Sequence, residues 1–235
     1  MQGQLLDKLR QFNGRLTEAE QANFKLLLGL AAGGLTPDLH RPSDIAAATA
    51  FDTVSDTLAT LQPYSKRISY NGLAYRGRPD FMTDPRLLAL QEEARTLRAS
   101  ARRFDEHFLG CGAPIANQLA LSETLSSFVR THAGDVKPTG IASFLYYDEV
   151  GQGIDAHIDT DIFSLNVLLM LSHRYKHTPR SALVLLPPRH PAERIELEPG
   201  EIVIMFAGSI AHGRERMKPD EAVSILTFGF HPLGI

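Results

Sequence analysis

GIDAHIDTDIFSLNVLLMLS, residues 153–172, sets His157, Asp159 and Asp161 directly ahead of a long apolar run. Two readings compete for that boundary: a solvated strand end, or the first half of a metal site. The tripeptide alone does not decide. With nine histidines and 27 acidic residues among 235 positions, chance gives about one His-x-Asp/Glu, and the chain has one. The decision rests on the character of the surrounding segments and on the residues about fifty positions downstream.

Outward from this stretch the chain reads as strands. IASFLYYDEV (141–150), IDAHID (154–159), FSLNVLLMLS (163–172), SALVLLP (181–187), ERIELEP (193–199), EIVIMFAG (201–208), IAHGRER (210–216) and AVSILTFGF (222–230) are short, rich in β-branched and aromatic residues, and separated by turn residues. They are too closely spaced for crossover helices, so the pattern predicts an antiparallel jelly roll over residues 138–235. Residues 1–137 read as mainly helical. Thr17 and Glu20 have capping-box spacing before an apolar segment that exits at Gly33 and Gly34. Ser43 is the expected cap of a helix stopped by Pro63. DPRLLALQEEARTLRASARRFDEHFLG (84–110) reads as a third helix, IANQLALSETLSSFVRTHAG (115–134) as a fourth, and residues 64–82 as short strands or a loop. The expected architecture is α+β, one structural unit in which helices hide the apolar outer face of one sheet of the barrel.

Strand geometry sharpens the opening question. Residues two apart on an extended chain point the same way, so His157 and Asp159 share a face. LEPGEIVIMFAGSIAHGRER (197–216) supplies a turn at Pro199 and Gly200, an apolar strand, a break of small residues and then His212. Two histidines and one carboxylate on one face of a barrel form the facial triad used by non-haem iron(II) oxygenases. Asp155 and Asp161 share the parity of His157 and Asp159, as turn carboxylates or as groups that orient a ligating histidine. Asn166, inside an apolar strand, requires a hydrogen-bonding partner if buried.

The stretch from about 141 to 231 resembles the Fe(II)/2-oxoglutarate-dependent dioxygenase superfamily. Tyr147, ten residues before His157 in YYDEVGQGIDAHID, is similar to the entry strand of that family. LEPGEIVIMFAGSIAH resembles its Pro-Gly turn and distal histidine, and AVSILTFGF its last barrel strand. The resemblance implies a double-stranded β-helix. It also implies iron held by His157, Asp159 and His212, 2-oxoglutarate as co-substrate beside Tyr147, dioxygen, and oxidation of an unactivated C–H bond of a small molecule; the polar Asn166 in its apolar strand is then a candidate to touch the co-substrate or a water. Hydroxylation is the default outcome, with desaturation or cyclisation as variants. The family's arginine, which pairs with the distal carboxylate of 2-oxoglutarate, normally stands two residues before a Ser or Thr in the last strand. Ser224 is present, but Ala222 occupies the arginine position. A buried carboxylate needs a cation or several donors, so the candidates are Arg214 and Arg216, expected to face inward with His212, and Arg180 before SALVLLP. Arg216 is the expected anchor because it lies farther from the metal. The missing arginine equally supports an iron oxidase that does not use 2-oxoglutarate, and a non-catalytic jelly-roll binding module stands as a third reading.

Composition bounds the rest. The chain is 43% hydrophobic and 22% charged with a formal net charge of −3, an ordinary globular balance. It lacks the stripe of Lys and Arg that a nucleic-acid partner requires. Cys111 is the single cysteine, which excludes an intrachain disulfide and a thiolate-rich zinc site. The N-terminal segment has no apolar core of a signal peptide, and no run is long enough to span a bilayer. A reducing, cytoplasmic setting is therefore expected, with a small-molecule substrate as partner and no assignment of oligomeric state.

Overall fold

The computed structural model describes residues 2–104, 106–159 and 161–234. In chain order the elements are α1 (Gln2–Asn13), α2 (Glu18–Gly34), α3 (Ile45–Leu61), β1 (Leu73–Gly77), α4 (Asp84–Arg98), β2 (Arg102–Phe104), β3 (His107–Cys111), α5 (Pro114–Ala120) and α6 (Glu123–Ala133). They continue with β4 (Val136–Tyr147), β5 (Ile154–His157), β6 (Leu165–Arg174), β7 (Leu183–Leu186), β8 (Glu193–Ile195), β9 (Ile202–Met205), β10 (Ala211–Arg214) and β11 (Ala222–Pro232).

The strands form a seven-stranded sheet, β1-β9-β6-β11-β4-β3-β2, and a four-stranded sheet, β5-β10-β7-β8. From β4 onward the chain passes back and forth between the two sheets, and the pairings are antiparallel. That is a jelly roll built from the eight segments expected to be strands. Tyr147, Leu168, Met170, Leu185, Val203 and Ile225 fill the space between the sheets.

The apolar run that follows the His-x-Asp motif has a physical reason. On β6, Leu168 and Met170 point into the barrel. Val167, Leu169 and Leu171 point outward into a second core shared with Leu90 of α4, Leu119 of α5 and Val129 of α6. A strand buried on both faces loses the polar alternation of a half-exposed one. A third core joins Val184, Leu186 and Ala211 on the outer face of the smaller sheet to Ala32 of α2 and Phe51 and Leu58 of α3. The helices thus cover both sheets, where one was expected. The approach of α2 to β5 is close enough that a Cβ at Gly33 would collide with the carbonyl oxygen of Ala156.

The N-terminal part departs from expectation at several points. The third helix stops at Arg98, and the remainder of the stretch forms the β2–β3 hairpin on the edge of the large sheet. The fourth is two helices, because the Ser122 hydroxyl accepts the amide of Leu125 and starts α6 afresh. The cap of α3 is Asp44, whose carboxylate accepts the amide of Ala47 at 2.8 Å. The Thr17–Glu20 box forms as expected: the Thr17 hydroxyl accepts the Glu20 amide at 3.4 Å and the Glu20 carboxylate accepts the Thr17 amide at 2.8 Å. Substituting Thr17 by alanine leaves one of these amides without a partner and is expected to lower stability by about 1 kcal/mol, to be measured by urea unfolding. Among the described residues no helix is long and apolar enough to cross a membrane.

Candidate metal centre

His157 ends β5 and His212 lies on β10, the neighbouring strand of the smaller sheet, and the two are direct register partners. Their rings lie 4.4 Å apart. Asp159 follows β5 and is fixed by its amide, which donates to the carbonyl of Ala207 in the loop after β9 at 3.0 Å. One ligand atom from each of the three residues lies within 4.8 Å of the others. No other such cluster of histidine, cysteine and acidic side chains occurs among the described residues.

The atoms that would not ligate are already committed. Nδ1 of His157 lies 2.8 Å from the carbonyl oxygen of Asp155, and Nδ1 of His212 lies 3.0 Å from that of Ile210. A carbonyl only accepts, so each Nδ1 carries a proton, and each Nε2 is the nitrogen left to ligate a metal once it has lost its own. The side-chain amide of Asn166 donates to Oδ2 of Asp159 at 2.8 Å, which leaves Oδ1 facing the histidines. Oδ1 is 3.3 Å from Nε2 of His157 and 3.6 Å from Nε2 of His212. Adjacent ligands about 2.1 Å from an octahedral ion sit about 3.0 Å apart, so the carboxylate oxygen lies within a few tenths of an ångström of that spacing from each histidine nitrogen. Burial opposes the charge on Asp159, but His212 and His157 outweigh it and hold the carboxyl well below its usual range. His157 responds in the opposite sense: burial pulls it down, and Asp159 more than compensates and raises it.

On the barrel side of the triad lies a buried cation. Arg214, two residues past His212 on the same strand, is 5% exposed. Its guanidinium lies over the Tyr147 ring, 5.4 Å from the centroid, and Nη2 donates to the Ser181 hydroxyl at 3.0 Å. Its Nε is buried with no hydrogen-bond partner among the described residues. Burial lowers the Arg214 pKa from the ordinary arginine value, against the opposing pull of Tyr147, Glu221 and Glu215. The Tyr147 phenol is raised by burial, with Arg214 opposing and Asp159 reinforcing the shift.

Glu221 supports this end of the barrel, a role that no motif in the sequence announces. Its Oε1 accepts from the amide and hydroxyl of Ser181, both at 2.7 Å, and lies 2.7 Å from Nε2 of His173. Burial opposes its charge, yet the Lys218 amide, His173 and Ser181 hold its pKa down to about 2. The available signal is parity: Glu221 stands two residues before Val223, which points inward. His173, the last residue but one of β6, has its side chain buried against Glu221.

The remaining candidates lie elsewhere. β10 ends at Arg214, so Arg216 does not continue its inward row. It is half-exposed and ion-paired with Asp155 and Glu106. Arg180 is buried but saturated, held by Glu196 at 3.1 Å, by Glu198 and by the ring of Tyr175. Ser224 bonds Ser172 at 2.7 Å. Ser224 and Ala222 flank the inward-pointing Val223 and therefore face the helix-covered side. Neither reaches the interior, where β11 presents Val223, Ile225 and Thr227 and no cation. Asp155 contributes through its carbonyl, while its carboxylate is exposed. The side chain of Asp161 lies outside the described residues.

Above His157 and Asp159 opens a cleft of about 510 Å³, walled by α2 with Leu26, Gly29 and Leu30, by Leu58 of α3 and by Gln62 just past its end. Neither Tyr147, Asn166 nor Arg214 lines it. The triad therefore stands between this outer cleft and the barrel interior, where Arg214 is buried. Replacing Asn166 by alanine frees Oδ2 of Asp159 and is expected to weaken divalent-metal binding by about 10–100-fold, to be checked by calorimetric titration with nickel.

No protein-family model matches the chain, and no curated protein resembles it in sequence. Solved structures do match in fold. The non-haem α-ketoglutarate-dependent epimerase SnoN of nogalamycin biosynthesis superposes with a TM-score of 0.59 at 16% identity, over 76% of this chain and 82% of SnoN. A prolyl-4-hydroxylase from Pseudomonas putida gives 0.54 at 18% identity, over 78% of this chain and 99% of its own. HygX from Streptomyces hygroscopicus, whose structure holds nickel, 2-oxoglutarate and hygromycin B, gives 0.56 at 12% identity over 69% and 84%. The chain shares the fold of 2-oxoglutarate-dependent oxygenases.

Proposed function

We infer that the chain is a non-haem Fe(II)/2-oxoglutarate-dependent dioxygenase that oxidises an unactivated C–H bond of a small molecule. One observation carries the reading: Nε2 of His157, Nε2 of His212 and Oδ1 of Asp159 converge while their companion atoms are held by Asp155, Ile210 and Asn166. When bound, iron(II) with dioxygen supplies the oxidising power, as 2-oxoglutarate is decarboxylated to succinate and carbon dioxide and the substrate takes up the second oxygen atom. The three side chains would hold the ion from one face and leave the opposite positions to the co-substrate and dioxygen.

Arg214 is the residue of this chain suited to the distal carboxylate of 2-oxoglutarate. It is buried on the barrel side of the triad, and its Nε has no hydrogen-bond partner among the described residues. A guanidinium forks onto a carboxylate through two donors. The Ser181 hydroxyl accepts from it and in turn donates to Glu221, and its guanidinium lies over the Tyr147 ring. The oxidase reading without 2-oxoglutarate draws on the missing cation of the last strand, and Arg214 on β10 offers that charge from another strand. Asp159 provides the anionic ligand whose absence leaves room for halide, so hydroxylation is the expected outcome. The test is succinate formation from 2-oxoglutarate in the presence of iron(II), ascorbate and a pool of small metabolites. Iron-dependent succinate supports the reading, and turnover of substrate without 2-oxoglutarate would replace it by the oxidase.

A further inference from the structure

Among the described residues, Lys25 is the one lysine or arginine that lines the outer cleft. Along α2, Ala22, Leu26, Gly29, Leu30 and Gly33 face it, the spacing of one helical stripe. Leu26 and Leu30 are 53% and 65% exposed, so the rim beside the triad presents leucine to water. Such a surface marks a binding site more often than a monomer face.

Lys25 stands beside this stripe, half-buried in the cleft. Its ammonium donates to Oε1 of Gln62 at 3.3 Å, and no carboxylate pairs with it among the described residues. Gln62 is itself buried and fixed, since its Nε2 donates to the carbonyl of Gly208 at 3.0 Å. Gly208 follows Ala207, the residue that accepts the amide of Asp159. Lys25 is therefore braced against the loop that frames the triad. The cleft's carboxylates are already engaged: Asp155 by Arg216 and Asp159 by the two histidines. A lone cation held by a neutral amide over an apolar wall is complementary to an apolar molecule with one negative group.

Resting on the oxygenase reading, we propose that the substrate is an organic carboxylate with an apolar body, its body along α2 and its carboxylate on Lys25. The cleft volume of about 510 Å³ is in the range that encloses a small organic molecule. The cation of Lys25 and the apolar wall along α2 select against a cationic or purely polar substrate, because neither an ammonium nor a sugar ring gains from this wall.

The test uses the full chain loaded with nickel and 2-oxoglutarate, which binds without turnover. Affinities are measured by calorimetry for ω-phenyl carboxylates from phenylacetate to 6-phenylhexanoate and for their neutral amides. At least one carboxylate is expected to bind about tenfold or more tightly than its amide. Lys25→Met should remove that preference while leaving the amide affinity within about twofold, and Lys25→Arg should restore it. A series in which no carboxylate outranks its amide, or a preference that survives Lys25→Met, overturns the proposal. Loading with nickel and 2-oxoglutarate is measured first and separately. If loading fails, the oxygenase reading falls, and the same titration on the metal-free chain still decides whether Lys25 selects a carboxylate.

Discussion

His212→Ala is expected to abolish iron-dependent succinate formation, a loss of at least about 10³-fold, while the protein stays folded. Its Nε2 is one of three ligand atoms within 4.8 Å of one another, and a triad reduced to one histidine and one carboxylate loses both affinity and the fixed facial geometry. A thousandfold corresponds to about 4 kcal/mol of transition-state stabilisation. The fold is expected to survive because the histidine belongs to none of the three apolar clusters and its Nδ1 serves only a carbonyl two residues back. Nickel titration and thermal unfolding of the same variant separate the two effects. Metal affinity should fall steeply, with little change in the melting temperature without metal. An unfolded variant would move the question to His157→Ala, whose side chain is more exposed and carries less packing.

The second large effect concerns Arg214. Arg214→Met should raise the KM for 2-oxoglutarate by at least about 30-fold, the equivalent of about 2 kcal/mol, the lower end of the cost of truncating one partner of a buried charged pair. Iron affinity should hardly change, since Arg214 touches no ligand of the triad in the structure. Methionine fills a similar volume without charge, and replacing a buried cation by an apolar group is often tolerated. Arg216→Met and Arg180→Met serve as controls. Arg216 pairs with surface carboxylates and Arg180 with Glu196 and Glu198, so neither should move the KM by more than about twofold. If the Arg216 variant raises the KM and the Arg214 variant does not, the distal carboxylate has been assigned to the wrong cation.

The jelly roll is legible in the sequence because its strands are short, apolar and separated by turn residues, signals that stay local. His157, Asp159 and His212 follow from strand parity and from the break of small residues before His212. Parity also exposes where sequence reasoning fails. Ser224 matches the family by residue type, but the register of β11 against β6 shifts between Ser224 and Ile225, and the inward positions are Val223 and Ile225. The inward placement of Arg216 requires β10 to extend past Arg214. It does not, because Glu215 is drawn to Arg194 and the Ala182 amide. The end of α4 is hidden because ASARRF continues with helix-compatible residues, and a hairpin on a sheet edge leaves its Arg side chains exposed without an alternating pattern. That α2 and α3 cover the smaller sheet, and that Lys25 is thereby placed over the triad, depends on contacts between residues more than a hundred positions apart. No local pattern encodes them.

The most direct test is a crystal structure of the full chain grown without oxygen with nickel and 2-oxoglutarate, with the metal located by anomalous scattering. One metal peak is expected at about 2.0–2.2 Å from Nε2 of His157, Nε2 of His212 and Oδ1 of Asp159, with the distal carboxylate of 2-oxoglutarate on Arg214. A metal bound away from these three atoms, or a co-substrate whose far carboxylate leaves Arg214 untouched, would contradict the assignment of this site.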